Sequence, residues 1–206
     1  MKMEGEEMKW SRPVIVKHVG EDRYDLFCEK TLNEFQKLET GASVYRESMN
    51  RQNFRFGVLG LSVYRVLLGE FGFEKAQAFD VLNDFICDGA RQTREHSAFM
   101  RFMYSKMSRW KFLVNAAKKK MEFLYEPNGW VFKTPKSDAY WAMDILECGL
   151  VKYLEDQGAP EICKAFCNAD YVVAEDMTGL KFVRTKTLAN SDNLCDFRYY
   201  KENGKR

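Results

Sequence analysis

Residues 130–146 read WVFKTPKSDAYWAMDIL, and the reading of this stretch decides the fold. Two aromatic runs stand in it, Trp130-Val-Phe132 and Tyr140-Trp-Ala-Met-Asp-Ile-Leu146. Both are short and rich in residues that suit a pleated surface, so both are expected to be strands. They follow Glu126-Pro-Asn-Gly129, a turn by composition. Before that turn the period is helical over 24–125, with apolar residues three or four apart. Leu26, Leu32 and Phe35 mark one run, and Val58, Leu61 and Tyr64 another. Phe79, Leu82, Phe85 and Ile86 mark a third, and Trp110, Leu113, Val114, Ala117, Met121 and Leu124 a fourth, with their aromatics on the apolar stripe. The longest apolar stretch, 56–68, is too short for a bilayer and is interrupted by Arg65, so it reads as a buried helix.

Beyond 146 two helices are followed by two strands. Residues 148–157 read as a helix closed by Gly158, and Pro160 fits the first position of the next, with Glu161 in its first turn. That helix carries Ile162, Cys163, Phe166, Cys167 and Tyr171 and stops near Thr178-Gly179. Strands over 180–188 and 194–201 flank the turn-forming Ala189-Asn-Ser-Asp-Asn193. The result is an α+β fold, a helical layer on a mostly antiparallel sheet with two further helices, in a β-β-α-α-β-β C-terminal half. Residues 1–22 are expected to be a mostly mobile arm, with Pro13-Val-Ile-Val16 forming either a short strand or an arm laid on the domain. Residues 23–206 are expected to form one domain, helical over 23–126 and mixed over 127–206.

Lys+Arg of 32 against Asp+Glu of 30 leaves a net charge of +2, so no whole-protein field argues for nucleic acid or an anionic membrane. Cations between Arg101 and Lys120 interleave with Tyr104, Trp110 and Phe112, and this stretch reads as a solvated helix face. The expected partner is a small-molecule substrate or ligand, with neither nucleic acid nor membrane expected and homo-oligomers left open. The six cysteines, Cys28, Cys87, Cys148, Cys163, Cys167 and Cys195, are scattered through a chain without an apolar leader. They read as free thiols in a cytoplasmic protein. Their spacings in the last third, C-x14-C, C-x3-C and C-x27-C, contain no CxxC pair or nearby histidine, so neither metal nor cofactor is expected. His18 and His96 fall in the arm and on a helix and read as structural.

Cys163, Cys167 and Asp170 share one helix face. A carboxylate beside a thiol raises the thiol pKa, so a reactive Cys167 would need an assisting cation. Otherwise the two cysteines are small core residues. In the last strand, alternation puts Cys195, Phe197 and Tyr199 on one face and Asp196, Arg198 and Tyr200 on the other. Either Thr185 and Thr187 lie with Cys195, or Arg184 and Arg198 present cations together. An arginine there suits a carboxylate ligand, and pairing of Arg198 with an acid such as Asp196 is the competing reading.

Glu147-Cys148, Leu154-Glu-Asp-Gln-Gly-Ala-Pro-Glu161, Cys167-Asn-Ala-Asp170, Arg184-Thr-Lys-Thr-Leu188 and Cys195-Asp-Phe-Arg-Tyr199 occur in the order seen in the L-2-amino-thiazoline-4-carboxylic acid hydrolase family. The chain resembles that family over its last sixty residues or so. The terminal strand is also similar to that of 4-vinyl-reductase-type ligand-binding domains, a likeness of fold alone. The first resemblance implies a hydrolase of a C–N bond other than a peptide bond, opening the C=N-containing ring of a small thiazoline or amidine acid. It implies catalytic roles for Cys167, Asp170 and Cys195, with Cys167 or Cys195 as nucleophile and Asp170 as proton shuttle. It implies substrate contacts from Cys148, Thr185, Thr187, Asp196 and Arg198, with Arg198 anchoring the carboxylate. The alternative is a non-catalytic module whose aromatics line a pocket for an apolar or planar ligand.

Overall fold

The computed structural model describes residues 8, 10–41, 45–46, 51–95, 98–125 and 129–202. Helices come first, among them α1 (Arg12–Val19), α2 (Tyr24–Gly41), α3 (Arg51–Gly69), α4 (Lys75–Glu95), α5 (Ala98–Lys106) and α6 (Lys111–Tyr125). Then follow β1 (Val131–Lys133), β2 (Trp141–Glu147), α7 (Gly149–Asp156), α8 (Cys163–Ala174), β3 (Leu180–Val183) and β4 (Cys195–Lys201). The fold is α+β, and the β-β-α-α-β-β order of the C-terminal half is as its periodicity predicts. The sheet is antiparallel throughout in the order β1-β2-β4-β3. No helix among the described residues is long and apolar enough to cross a membrane. His96 and the turn residues 126–128 lie outside the described residues.

The central pair of strands sets the core. Trp141, Met143 and Ile145 stand opposite Tyr199, Phe197 and Cys195, all buried, so one sheet face is a double row of apolar side chains. Trp141 stacks on Tyr199 with centroids 4.6 Å apart, and Phe182 of β3 meets Phe197 edge-on at 5.1 Å. On the opposite face Ala142 and Asp144 stand opposite Arg198 and Asp196. Asp144 is buried there because Arg198 donates to it at 2.7 Å, so the acid that pairs with Arg198 is Asp144 rather than Asp196.

The described part of the N-terminal segment departs from its sequence reading. Residues 12–19 are a helix laid on the domain, with Ile15 and Val19 fully buried. The run of β-branched residues suggests a strand, but Ile15 and Val19 are four apart and share a helical face, and burying that face outweighs propensity. Trp10 packs on Phe85 of α4 at 4.7 Å and lies over Gly89, where a side chain would collide with its ring. Residues 12–19 are therefore packed on the domain as a helix and not as a strand.

A second departure concerns the aromatics of α5 and α6. Leu113 and Val114 face inward, but Trp110 and Phe112 are exposed and stacked on each other at 5.8 Å. These two rings are off the apolar stripe.

The third departure shapes the site. The strand expected over 180–188 ends at Val183 because the Asp196 carboxylate enters the ladder. Its Oδ1 accepts the amides of Thr185 (2.8 Å) and Lys186 (2.6 Å), and its Oδ2 accepts the Thr185 hydroxyl (2.6 Å). The carboxylate takes two amides of the segment, leaving one backbone bond there, from the Asp196 amide to the Lys186 carbonyl at 3.3 Å, and regular pairing with β4 stops at Val183. Arg184 then reaches back to α8.

Helix α8 is held against α3 and α4. Asn168 donates to Asn83 of α4 at 2.7 Å, and Phe166 packs over Gly60 of α3. A Cβ at position 60 would stand 2.4 Å from Phe166 Cζ, colliding with the tip of the ring. Overpacking of this kind costs about 1–3 kcal/mol, partly offset by the roughly 1 kcal/mol that Ala gains over Gly in a helix. Gly60→Ala is therefore expected to lower Tm by about 2–4 °C in a thermal melt. An unchanged or higher Tm would show that α8 is free to shift.

Candidate active site

Four of the six cysteines converge where α8, the start of α7 and the start of β4 meet. Cys163 and Cys167 are successive turns of α8, Cys148 precedes α7, and Cys195 opens β4 on the core face. All six are free thiols. Cys163 and Cys195 are buried, whereas Cys148 and Cys167 are partly exposed.

Thr187 joins two of them. Its Oγ1 lies 3.5 Å from Cys167 Sγ and 3.5 Å from Cys195 Sγ, and it accepts the Ala189 amide at 3.3 Å. A hydroxyl has one proton to give. Donated to Cys167, it leaves the Cys195 S–H to donate to Thr187, a chain of two donors that ends on Cys167 Sγ. The Leu188 amide donates to Cys195 Sγ at 3.3 Å and fixes that end. The Thr187 amide, donating to Asp192 at 2.8 Å, fixes the middle.

Arg184 supplies the cation. Its Nη1 donates to Asp170 Oδ2 at 2.7 Å and its Nη2 to the Cys167 carbonyl at 3.0 Å, across the face of the Tyr171 ring. The Arg184 side chain is 6% exposed and that of Asp170 39% exposed, so the carboxylate edge is where the cluster meets solvent.

These contacts separate the thiols electrostatically. Cys163 donates to Cys167, the largest effect on both, and this lowers Cys167 while raising Cys163. Burial opposes the fall in Cys167, but the Thr187 hydroxyl and the Arg184 charge add to it, and Cys167 comes down to about 6. The other five thiols are all raised. Burial dominates for Cys28, Cys87, Cys148 (to about 12) and Cys195, and the hydrogen bond to Cys167 leads for Cys163. Asp170 moves up to about 7, first through desolvation by the groups packed around it and then through the charge on Cys167, with Arg184 pulling the other way. Burial alone would raise Asp196, but the Thr185 hydroxyl and the amides of Lys186, Thr185 and Asp196 hold it low.

Of the positions singled out from the sequence, the structure brings Cys148, Cys167, Asp170, Thr187 and Cys195 together. Thr185 and Asp196 lie beside them as the wedge that turns 184–187 toward α8. Arg198 is on the other face of the sheet, held by Asp144 and the Met143 and Phe197 carbonyls. Two members were weighed in the sequence reading without being assigned a catalytic or substrate-binding role: Arg184, as one of a pair of cations with Arg198, and Cys163, as part of the stripe with Cys167 and Asp170. The spacing of Cys163 from Cys167 was the available signal for one. No periodic signal marks Arg184, whose direction depends on the Asp196 wedge. Among the described residues no group of three or more His, Cys, Asp or Glu is placed to hold a metal. A surface groove between α2 and α3, lined by Lys30, Glu34, Lys37, Arg65 and Glu70, contains no thiol. Its charges are spent across it, Lys30 on Glu70 at 3.1 Å and Arg65 on Glu34 at 3.3 Å.

No curated protein and no solved structure matches the chain. A family model does, over residues 49–199, and its description is L-2-amino-thiazoline-4-carboxylic acid hydrolase. The match begins just before α3, includes the Gly60 seat of α8, and ends at Tyr199 of β4, so it takes in every residue of the thiol cluster. With the four clustered thiols, Asp170 and Arg184 all inside that span, the chain belongs to the L-2-amino-thiazoline-4-carboxylic acid hydrolase family.

Proposed function

We propose that the protein hydrolyses a small thiazoline or cyclic amidine carboxylic acid, opening its ring with Cys167 as nucleophile. One observation carries this reading: of six thiols, Cys167 alone is made more acidic, and it sits on a partly exposed helix turn beside a cation. A thiolate at neutral pH suits attack on C2 of 2-amino-thiazoline-4-carboxylate, the carbon bonded to sulfur and to two nitrogens.

The roles follow from position. Cys167 Sγ adds to C2, and the C=N electron pair moves onto nitrogen. As C=N re-forms, the bond from C2 to the ring sulfur breaks, and that sulfur takes the proton held by Asp170. Water then adds to the same carbon. One of its protons returns to Asp170 and the other passes to nitrogen as the carbonyl forms and Cys167 leaves as thiolate. One water is consumed, and the product is a carbamoyl group on an amino acid with a free thiol. Arg184 takes the substrate carboxylate beside Asp170, a second anion that helps Asp170 keep its proton. Thr187 and Cys195 position and polarise the nucleophile, Cys148 forms part of the wall, and Thr185 with Asp196 holds 184–187 in place. Arg198, tied to Asp144 across the sheet, is assigned to sheet cohesion.

Incubation of purified protein with L-2-amino-thiazoline-4-carboxylate is expected to release titratable thiol together with a product heavier by one water. Folded protein that releases none would overturn the reading. The pH profile is a further check. Cys167 must be ionised and Asp170 protonated, so kcat/KM is expected to rise through about pH 6 and fall through about pH 7. A rate that climbs steadily to the ordinary thiol range of about 8–9 would contradict both assignments.

A further inference from the structure

The charge of the chain is unevenly placed. From α5 to the end of α6, residues 98–125, there are seven lysines and arginines against one acid, Glu122, a local net of +6. The whole chain carries +2, so the remainder carries −4. Four large apolar rings open to solvent from the same unit, Phe102, Trp110, Phe112 and Phe123, the last two 64% and 79% exposed.

Geometry orders them. Phe112 and Phe123 are eleven residues apart, three helical turns, and so lie in one line along α6 about 16 Å apart. Ala116 and Lys119 lie near that line and Lys120 beside it, all exposed. Leu113 and Val114 point the other way into the core. Helix α6 is thus anchored by one face and carries a second row of rings and lysines outward. The unit is tied to the sheet at its turn, where Tyr140 donates to the Met107 carbonyl at 3.0 Å and Lys111 donates to the Tyr140 carbonyl.

We propose that this face of α5 and α6 docks on an anionic lipid surface. A second copy of the chain is disfavoured, since self-association here would bring together two segments that each carry a net +6. Single-stranded nucleic acid needs open ring faces for its bases, whereas Trp110 and Phe112 stack on each other at 5.8 Å with planes 21° apart. A row of rings parallel to a helix axis, flanked by lysines whose stems reach past them to headgroups, suits a helix lying in the plane of a bilayer interface. The proposal is independent of the thiol chemistry.

Vesicle flotation with the full chain tests it, using phosphatidylcholine vesicles with and without phosphatidylserine. Binding is expected only with phosphatidylserine and is expected to weaken as salt is raised. Lys119→Gln with Lys120→Gln is expected to weaken it about thirtyfold, and Phe112→Ser with Phe123→Ser about a hundredfold. These side chains are exposed, so circular dichroism should be unchanged. Tryptophan emission is expected to shift to the blue on binding, and Trp110→Phe to remove the shift, because Trp130 and Trp141 are buried and Trp10 is packed on Phe85 away from this face. Failure of folded protein to bind phosphatidylserine vesicles would overturn the proposal. Equal binding to neutral vesicles, or binding to an oligonucleotide in place of vesicles, would do the same.

Discussion

Replacing Cys167 by serine is expected to lower kcat/KM for a thiazoline carboxylate by about four orders of magnitude or more, with Tm nearly unchanged. Serine fills the space and keeps the hydrogen bond to Thr187, but a hydroxyl does not ionise near neutral pH, so attack on C2 is lost while the fold is not. The neighbouring thiols should behave differently. Cys195→Ser keeps a donor to Thr187 and is expected to cost about tenfold or less. Cys163→Ala removes the donor that does most to stabilise the Cys167 thiolate, so the acid limb of the pH profile should move up from about 6 toward the ordinary thiol range. Activity would persist at higher pH. Steady-state kinetics over a pH series separates the three variants, and a Cys167→Ser enzyme with normal turnover would remove Cys167 from the chemistry.

Arg184→Met is expected to damage both stability and rate. The guanidinium is nearly buried, and it answers the Asp170 carboxylate and the Cys167 carbonyl at once. Breaking a fully buried ion pair costs about 3–5 kcal/mol, and the partial exposure of Asp170 brings the expectation nearer 2 kcal/mol. For a chain of this size that is a fall in Tm of about 4–8 °C. The catalytic loss should be greater, about two to three orders of magnitude in kcat/KM, because the cation that favours the thiolate and receives the carboxylate is gone. Loss of the cation raises Cys167, which a titration of ultraviolet thiolate absorbance reads directly. Arg184→Lys should restore part of that acidity without the two-pronged hold on Asp170 and the carbonyl. A methionine variant with an unmoved thiolate titration would mean that Arg184 is structural only.

Much of the fold was legible in the residues. The switch from helical period to short aromatic runs after residue 129 marked the change from helices to sheet, and the parity of residues 195–200 put Cys195, Phe197 and Tyr199 on the buried face. Residues 12–19 were less legible, because local propensity favours extended chain there and only the surface of α4 supplies a reason to coil. Trp110 and Phe112 misled for a related cause: a helical stripe shows which residues share a face, and packing decides which face turns inward.

The site was half legible for the same reasons. The spacing of Cys163, Cys167 and Asp170 within one helix is a local property and could be read directly. That a cation was needed beside Cys167 also followed from the sequence, since Asp170 alone would have raised the thiol. Its identity did not follow. Strict alternation would carry Arg184 along a strand to residue 188, but Asp196 satisfies two backbone amides with one oxygen and breaks the strand at Val183. Side-chain replacement of a ladder bond has no periodic signature, so the turn of Arg184 toward α8 appears only in three dimensions.

The most direct test of Cys167 as nucleophile is mass spectrometry of enzyme quenched in acid during turnover of L-2-amino-thiazoline-4-carboxylate, followed by peptide mapping. The expected result is a fraction of the protein heavier by one substrate molecule, with the added mass on Cys167 and absent from the other five cysteines. Steady turnover with no adduct on Cys167 at any quench time, together with full activity of Cys167→Ser, would contradict it.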